Sequence, residues 1–167
     1  AGYGYDDFLE WQVENLRRFK PQVVIGHDAA GEYGHGTHII NSETLRDAVS
    51  AAADAENFPY SAAQYGVWDT PKLYLHLWAE NEIVMDFDQP LEHFGGKTAY
   101  EMSNAGYECH VSQHWTWFTE WMRGTANAPI TKASQITKYS PCRYGLWRTT
   151  VGADTKADFF DNIELYS

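Results

Sequence analysis

The order of hydrophobic and polar positions predicts a helix, a strand and a second helix in the first third of the chain. Apolar residues recur at near-helical spacing over residues 8–19, behind an acidic cap at Asp6 or Asp7. A short apolar run over 22–26 then predicts a strand, which would be buried on both faces if its neighbours are parallel. After a loop rich in glycine, a second helix is expected over about 37–53, with its first residue, a threonine, as the cap.

The rest of the chain is predicted to mix helices and strands. Residues 54–71 carry two prolines and scattered aromatic side chains, which predicts a long surface connection. The remaining expected elements are strands over 72–78, 82–87 and 145–151, a loop over 89–97, a helix over 98–114 with a continuation or kinked sequel over 115–122, and a packed tail over 158–166. This order is typical of an α/β protein of doubly wound type.

The composition is that of a folded protein with an acidic surface. Of the 167 residues, 44% are hydrophobic and 16% are aromatic, which excludes an intrinsically disordered chain. The length suits one domain. The formal net charge is −11, and an acidic surface repels phosphate backbones, so no nucleic-acid partner is expected.

No membrane span and no secretory leader are expected. The sequence lacks an apolar run of about 18 residues. Its start lacks the basic and apolar regions of a signal peptide, and the missing initiator methionine fits a processed, excised or partial chain. Cys109 and Cys142 allow one disulfide at most, and free buried thiols are the simpler interpretation. The cysteines do not fix the compartment; a bacterial extracellular location is slightly favoured over a cytoplasmic one.

The segment from Gly31 to His38 carries the most informative chemistry. His35 and His38 stand three residues apart, after the apolar strand and at the start of the predicted helix. Imidazoles at this spacing on a first helical turn point the same way, and open α/β sheets bind ligands where a strand leads into a helix. The segment therefore indicates a metal or oxyanion site at a sheet edge. A turn with one surface histidine is the alternative.

Several segments, in order along the chain, resemble the PIG-L (LmbE-like) family of zinc-dependent deacetylases. Residues 21–28 (PQVVIGHD) and 31–38 (GEYGHGTH) are similar to the second signature of that family. The further similar segments are 74–77 (YLHL), 94–98 (FGGKT), 109–113 (CHVSQ), 140–142 (SPC) and 144–152 (YGLWRTTVG). The resemblance therefore covers nearly the whole chain.

The first signature of the family, a His-Pro-Asp-Asp run with two metal ligands and the general base, does not occur in this sequence. The resemblance therefore implies the C-terminal part of a Rossmann-like, doubly wound α/β sheet with flanking helices, with residues 1–167 as a single domain or half-domain. It implies zinc as the cofactor of the complete enzyme, and leaves zinc doubtful for this chain alone. The expected partners are the N-terminal half of the same protein or identical chains, because the strand over 22–26 would otherwise keep an uncovered edge.

The resemblance also implies roles for residues of the loop. His38 takes the place of the third zinc ligand. His35 matches a non-ligand histidine that would stabilise the oxyanion or protonate the departing amine, and Tyr33 matches a tyrosine that donates a hydrogen bond to the same oxygen. The family often has an aspartate where Thr37 stands, so this position cannot supply a carboxylate that orients a ligand.

Three more residues are expected to contact the substrate. Asp28, in the pair His27-Asp28, either supports the metal site or accepts a sugar hydroxyl, or else it orders the loop through its own backbone. His110 and Gln113 are expected on one helix face, hydrogen-bonded near the pocket, with a metal-binding pair of His110 and His114 as the alternative. His76 has no partner in sequence and is interpreted as structural.

The function that these features favour is part of a zinc-dependent amidohydrolase. It would remove an acetyl or other acyl group from an N-acetylated amino sugar or a related substrate, a reaction that needs an activated water and a proton donor for the amine. The alternative is a catalytically inactive fragment that acts as a self-assembling structural or carbohydrate-binding piece. The aromatic side chains over 115–122 could stack on sugar rings, although such stripes more often belong to a core or an interface.

Overall fold

The chain folds as a mixed α/β protein with a mixed sheet and flanking helices. The structure is a computed structural model that describes residues 4–113, 121, 123–125, 127–152 and 157–164. In chain order the helices and strands are α1 (Tyr5–Phe19), β1 (Val23–Gly26), α2 (Gly36–Ala51), α3 (Pro59–Tyr65), β2 (Lys72–His76), β3 (Ile83–Val84), α4 (Ala99–Tyr107), β4 (Gly124–Thr125), β5 (Ala128–Pro129) and β6 (Arg143–Thr149). Contacts divide the chain into two compact units, Ala1–Ile83 with Arg143–Ser167 and Val84–Cys142.

The four-stranded sheet has the strand order β1–β2–β6–β3. β1 and β2 are parallel, with Val23 opposite Lys72 and Gly26 opposite Leu75, so α2 and α3 form the crossover between them. β6 returns antiparallel to β2. Because β1 and β2 run the same way, the residues that follow them meet at one end of the sheet.

The core of the first unit lies between two helices and one face of the sheet. β2 contributes Leu73 and Leu75, which are alternate residues and therefore share a face. From α1, α2 and the residue that caps α2 come Val13, Leu16, Leu45, Ala48, Val49 and Ala52. On the opposite face of β2, Tyr74 packs edge-on against Phe159 with ring centroids 4.7 Å apart. The predicted packing of the tail is thus confirmed at Phe159, whereas Phe160 stays exposed.

Six predicted helices and strands are confirmed, with shifted ends at several of them: α1, β1, α2, β2, α4 and β6. α1, β1 and β6 correspond to the elements expected over 8–19, 22–26 and 145–151. α4 begins after Thr98, as predicted. The Thr98 hydroxyl caps this helix by accepting a hydrogen bond from the Glu101 N–H at 3.1 Å.

Two predicted helix ends are wrong. α2 begins at Gly36 with His35 as its cap residue, rather than after Thr37, because the carbonyl of the cap residue already accepts two helical N–H groups. The helix expected to reach residue 114 ends at Tyr107, in a stretch of weak helix formers. A separate 3₁₀ turn follows over Val111–Gln113.

The predictions for extended segments also need correction. The connection over 54–71 contains α3, which begins at a proline, a residue that suits the first helical position. The strand expected over 82–87 is reduced to the two residues of β3. β2 ends two residues early because Leu77 adopts a φ of 59°. β1 lies at the sheet edge and is not buried on both faces, since Ile25 is 49% exposed.

The second unit has its own small core. Its buried apolar residues are Tyr100, Ala133, Ile136 and Cys142. Trp121 packs against them, whereas residues 115–120 and 122 of the predicted aromatic segment lie outside the described residues. Both cysteines are free, but Cys109 is exposed, so the prediction of two buried thiols holds only for Cys142. Within the described part of the chain, no helix is both long and apolar enough to cross a membrane.

Candidate functional site

Four histidines and one glutamate gather at the end of the parallel strand pair. His27 follows β1 and His76 ends β2, and the parallel register brings these two strand ends together. Glu32 and His35 come from the loop after β1, and His38 from the first turn of α2. The site is therefore built from residues that the β1–α2 connection and the end of β2 supply jointly.

The loop that carries the site approaches α2 so closely that one position requires glycine. Gly31 has a φ of 74°, and a Cβ there would lie 2.5 Å from both the backbone nitrogen and Cγ1 of Ile39. A 3₁₀ turn over Glu32–Gly34 follows, in which Tyr33 adopts a φ of 57°. This path turns Glu32 inward, where it is 6% exposed, and leaves Tyr33 39% exposed.

The buried Glu32 carboxylate uses one of its two oxygens. Its Oε1 accepts two hydrogen bonds, one from the Asp28 N–H at 3.0 Å and one from the ring nitrogen Nδ1 of His76 at 2.8 Å. Nδ1 of His27 lies 3.5 Å from the same oxygen, an ion-pair distance rather than a hydrogen bond. Oε2 is buried and takes no hydrogen bond from the described residues.

Two opposing effects set the charge of Glu32. Burial raises the pKa of its carboxyl, but the hydrogen bonds from His76 and from the Asp28 N–H, together with the nearby imidazoles, outweigh burial. The net pKa lies below the ordinary value, so the carboxyl is ionised at neutral pH. A buried negative charge therefore stands behind the histidines.

His38 is uncharged at neutral pH. Burial lowers the pKa of its imidazole, and repulsion from His27 and His35 lowers it further, although Glu32 acts in the opposite direction. Nδ1 of His38 lies 3.2 Å from Nε2 of His27, and the His35 ring centroid lies 5.0 Å from that of His38. A neutral imidazole has the lone pair that a metal ligand needs.

The structure brings some of the predicted site residues together and places others in the second unit. His35, His38 and Tyr33 share the loop and the start of α2. Asp28 is in the same loop, and its Oδ1 accepts the Ala30 N–H at 3.0 Å. That contact is the loop-ordering role that the sequence left open, and contact with a substrate hydroxyl stays a prediction.

His110 and Gln113 belong to the second unit, beyond the end of α4. They do not share a helix face, because a turn separates them from that helix and Gln113 ends a 3₁₀ segment. The His110 side chain is exposed, with its ring centroid 5.9 Å from that of Tyr107. His114 lies outside the described residues, and a substrate-binding role for His110 and Gln113 stays a prediction.

Sequence reasoning missed two participants, Glu32 and His76. Glu32 is a lone carboxylate in a glycine-rich loop, and nothing in the sequence predicts that it is buried. His76 was interpreted as structural, yet it ends the strand that is parallel to β1. The available signal was topological. Polar residues at the carboxyl ends of two neighbouring parallel strands lie next to each other.

The histidines fit part of a zinc site. Neutral imidazoles are ligands that zinc prefers, and a catalytic zinc takes three protein ligands and leaves one position open. Among the described residues, however, no group of three or more His, Cys, Asp and Glu side chains could hold a metal ion. His38 thus supplies a suitable ligand, and the described residues alone do not complete the set.

Comparison with known proteins finds partial similarity to deacetylases. No protein-family model and no solved structure matches the chain. The chain is 39% identical over 69 residues to 1D-myo-inositol 2-acetamido-2-deoxy-alpha-D-glucopyranoside deacetylase 2 of Saccharopolyspora erythraea. The aligned region covers 41% of this chain and 24% of that protein. It is 36% identical over 76 residues to the deacetylase 2 of the same name from Frankia casuarinae, covering 46% and 23%.

An amidase is also among the relatives. Mycothiol S-conjugate amidase of Streptomyces coelicolor is 38% identical over 63 residues, which covers 37% of this chain and 21% of the amidase. The matched region therefore spans less than a quarter of the length of each of these curated relatives.

Proposed function

We propose that the chain supplies the His35–His38 side of the active site of a zinc-dependent N-deacetylase. Its substrate would be an N-acetylated amino sugar or a related amide. The observation that carries the proposal is the position of His38 beside His35 at the end of a parallel strand pair, where burial lowers the pKa of the His38 imidazole. The similarity to sugar deacetylases and an amidase supports the same reaction class.

The proposal includes the finer fold, the C-terminal part of a Rossmann-like, doubly wound sheet. The parallel β1–β2 pair with its helical crossover supports this topology. β1 is an edge strand in the four-stranded sheet, and Ile25 on it is half exposed. A further segment, from an N-terminal half of the same protein or from an identical chain, would cover that edge and supply the remaining zinc ligands.

The residues of the loop have distinct roles in amide hydrolysis. Zinc bound at His38 would polarise the acyl carbonyl and lower the pKa of a bound water. The oxygen of that water would bond to the carbonyl carbon while its proton passes to a general base, which the segment with the remaining ligands would supply. The C–N bond would then break, and the amine would leave with a proton. His35, which is exposed, would donate that proton or hydrogen-bond the oxyanion, and Tyr33 would donate a second hydrogen bond. The N-terminus of α2 adds a partial positive charge nearby.

The test separates metal binding from proton transfer in the longest natural protein that contains this chain. Zinc content and acetate release from 1D-myo-inositol 2-acetamido-2-deoxy-α-D-glucopyranoside would both be measured. We expect His38→Ala to lose zinc and activity together. His35→Ala should keep zinc and lower kcat by about 10²-fold or more. Thr37→Ala, between them on the same turn and exposed, is the control and should change neither.

Two results would contradict the assignment. Equal zinc loss in the His35 and His38 variants would mean that both are ligands. Stoichiometric zinc in the isolated chain after dialysis against a mild chelator would mean that the chain completes the site by itself.

A self-assembling structural piece is the second candidate, and the half-exposed Ile25 on the edge strand β1 favours it. Sedimentation of the chain distinguishes the two. Association that Ile25→Lys abolishes, together with absence of zinc from the longer protein, would support the structural role over the enzymatic one.

A further inference from the structure

We propose that Glu32 is a positioning residue that acts through His27 on His38. Together they hold His38 with its ring proton on Nδ1, so that Nε2 keeps the lone pair. The significance of this tautomer for zinc rests on the proposed function. The chain of contacts itself depends only on the geometry of the three side chains.

The contact between the two imidazoles allows two proton arrangements. Nδ1 of His38 and Nε2 of His27 lie 3.2 Å apart, with ring planes at 67°. In a hydrogen bond between neutral rings, one nitrogen donates and the other accepts. Either His38 donates from Nδ1, and its Nε2 is bare, or His27 donates from Nε2, and His38 is bare at Nδ1.

The Glu32 carboxylate decides between these arrangements. If His27 donated from Nε2, its bare Nδ1 would face the acceptor-only carboxylate at 3.5 Å, lone pair against negative charge. If His38 donates instead, His27 carries its proton on Nδ1 and directs it at Oε1 of Glu32. The second arrangement is therefore favoured, and the burial of the carboxylate strengthens the preference.

The carboxylate is held in place and still has acceptor capacity. The Asp28 N–H fixes it to the end of β1, and His76 fixes it to the end of β2. Oε2 takes no hydrogen bond among the described residues, so the group can accept more than it does. Two neighbouring strands thus anchor one charge behind His27.

This chain of contacts replaces a support that the sequence lacks at Thr37. Metal-binding histidines almost always donate their other ring N–H to a carboxylate, a carbonyl or a water. Here the imidazole of His27 stands between the carboxylate of Glu32 and the ring of His38. The ligand would therefore be oriented by the loop before it rather than by its own helical turn.

Imidazole ¹⁵N NMR of the metal-free chain, at about pH 8 where ordinary histidines are neutral, tests the tautomer directly. We expect His38 to be protonated on Nδ1. Glu32→Gln should convert it to a mixture of tautomers, and His27→Phe should do the same. His27→Gln, which keeps an acceptor near the Nε2 position, should restore the wild-type tautomer.

Glu82→Gln is the matched control, because it neutralises a carboxylate that pairs with Arg143 and not with the histidines. It should leave the His38 signals unchanged. A proton on Nε2 of His38 in the wild-type chain would overturn the proposal, as would an unchanged tautomer in a folded Glu32→Gln variant. If Glu32→Gln does not fold, the difference between His27→Phe and His27→Gln decides.

Zinc titration of the same variants, made in the longest natural protein that contains this chain, separates this proposal from the proposed function. Glu32→Gln should weaken zinc binding at His38 by about 10–100-fold, the usual effect of removing such a partner. The expected tautomer without any zinc binding at His38 would contradict the function and leave the positioning role standing. Complete zinc loss in His27→Gln, equal to that in His38→Ala, would make His27 a ligand and overturn the positioning role.

Discussion

Arg17 and Glu32 are both buried charged residues of the first unit, and they differ in how many hydrogen bonds their charged groups make. Arg17 is 0% exposed, and its guanidinium donates hydrogen bonds to six acceptors. These are the carbonyls of Ala51, Ala52, Asp54, Asn57 and Phe58 and the hydroxyl of Ser61. Glu32 is 6% exposed and accepts two hydrogen bonds, both on Oε1, with none on Oε2 from the described residues.

The difference matches a structural role for Arg17 and the positioning role proposed for Glu32. Arg17 ties α1 to the C-terminal end of α2, where carbonyls lack helical partners and carry partial negative charge, and to the start of α3. Five of the six acceptors of Arg17 are backbone carbonyls, and one is a side-chain hydroxyl. Glu32 instead faces titratable rings and keeps unused acceptor capacity, which is the arrangement that the proposed positioning role uses.

Removal of the Arg17 guanidinium should give the largest effect. We expect Arg17→Met to lower the free energy of unfolding by about 3–5 kcal/mol, because six buried or partly buried acceptors lose their donor at once. Urea unfolding would measure it. Arg18→Met, at the exposed next position, should stay within about 0.5 kcal/mol of the wild type. Similar losses in both variants would show that the hydrogen bonds of Arg17 contribute little to the packing of α1 against α2 and α3.

The loop that holds Glu32 depends on Gly31, and this is the next largest effect. Gly31→Ala should cost about 2–4 kcal/mol, because a Cβ at positive φ would collide with the backbone of α2. Gly36→Ala is the matched control: nothing lies within 4 Å of a Cβ there, and alanine favours a helix, so stability should rise by up to about 1 kcal/mol. Thermal unfolding of the two variants would measure the difference. Equal tolerance would mean that the loop does not need its close approach to α2.

Sequence patterns predicted the elements with strong periodicity and missed the weak ones. α1, β1 and β6 each follow from an amphipathic or apolar run, and the core buries Val13 and Leu16 of α1. α3 was missed because its seven residues carry no apolar stripe, and packing rather than pattern stabilises it. The burial of Arg17 could not be predicted, since nearly all of its partners are backbone carbonyls that leave no trace in the sequence.

The candidate site shows the same division. The spacing of His35 and His38 is a local feature and pointed to the loop. Glu32 and His76 meet only because β1 and β2 are parallel neighbours, and the sequence does not state which strands pair. The contact between His27 and His38 depends on the turn at Gly31, whose left-handed backbone was not predicted.

The charge of Glu32 can be tested through the pH dependence of stability. Its folded pKa is lowered, so its contribution is complete above the ordinary carboxyl pKa of about 4.3 and disappears as pH falls through the folded value. Glu32→Gln should therefore be less stable than the wild type by about 1–3 kcal/mol at pH 7. The gap, measured by urea unfolding at several pH values, should narrow below about pH 4.3. A gap that widens towards acid would mean that burial dominates and that the folded carboxyl is protonated.

The loss of one partner from each charge gives the finest contrast. Ser61→Ala removes one acceptor, which Nη1 of Arg17 contacts at 2.7 Å, but the same nitrogen also donates to the Phe58 carbonyl at 2.9 Å. We expect a loss of about 0.5–1 kcal/mol in urea unfolding. His76→Phe removes the donor 2.8 Å from Glu32, where only one other hydrogen bond is described, and should cost about 1.5–3 kcal/mol. Equal losses would show that the number of partners does not distinguish the two charges, and the structural and functional roles would then have to rest on the tautomer of His38 alone.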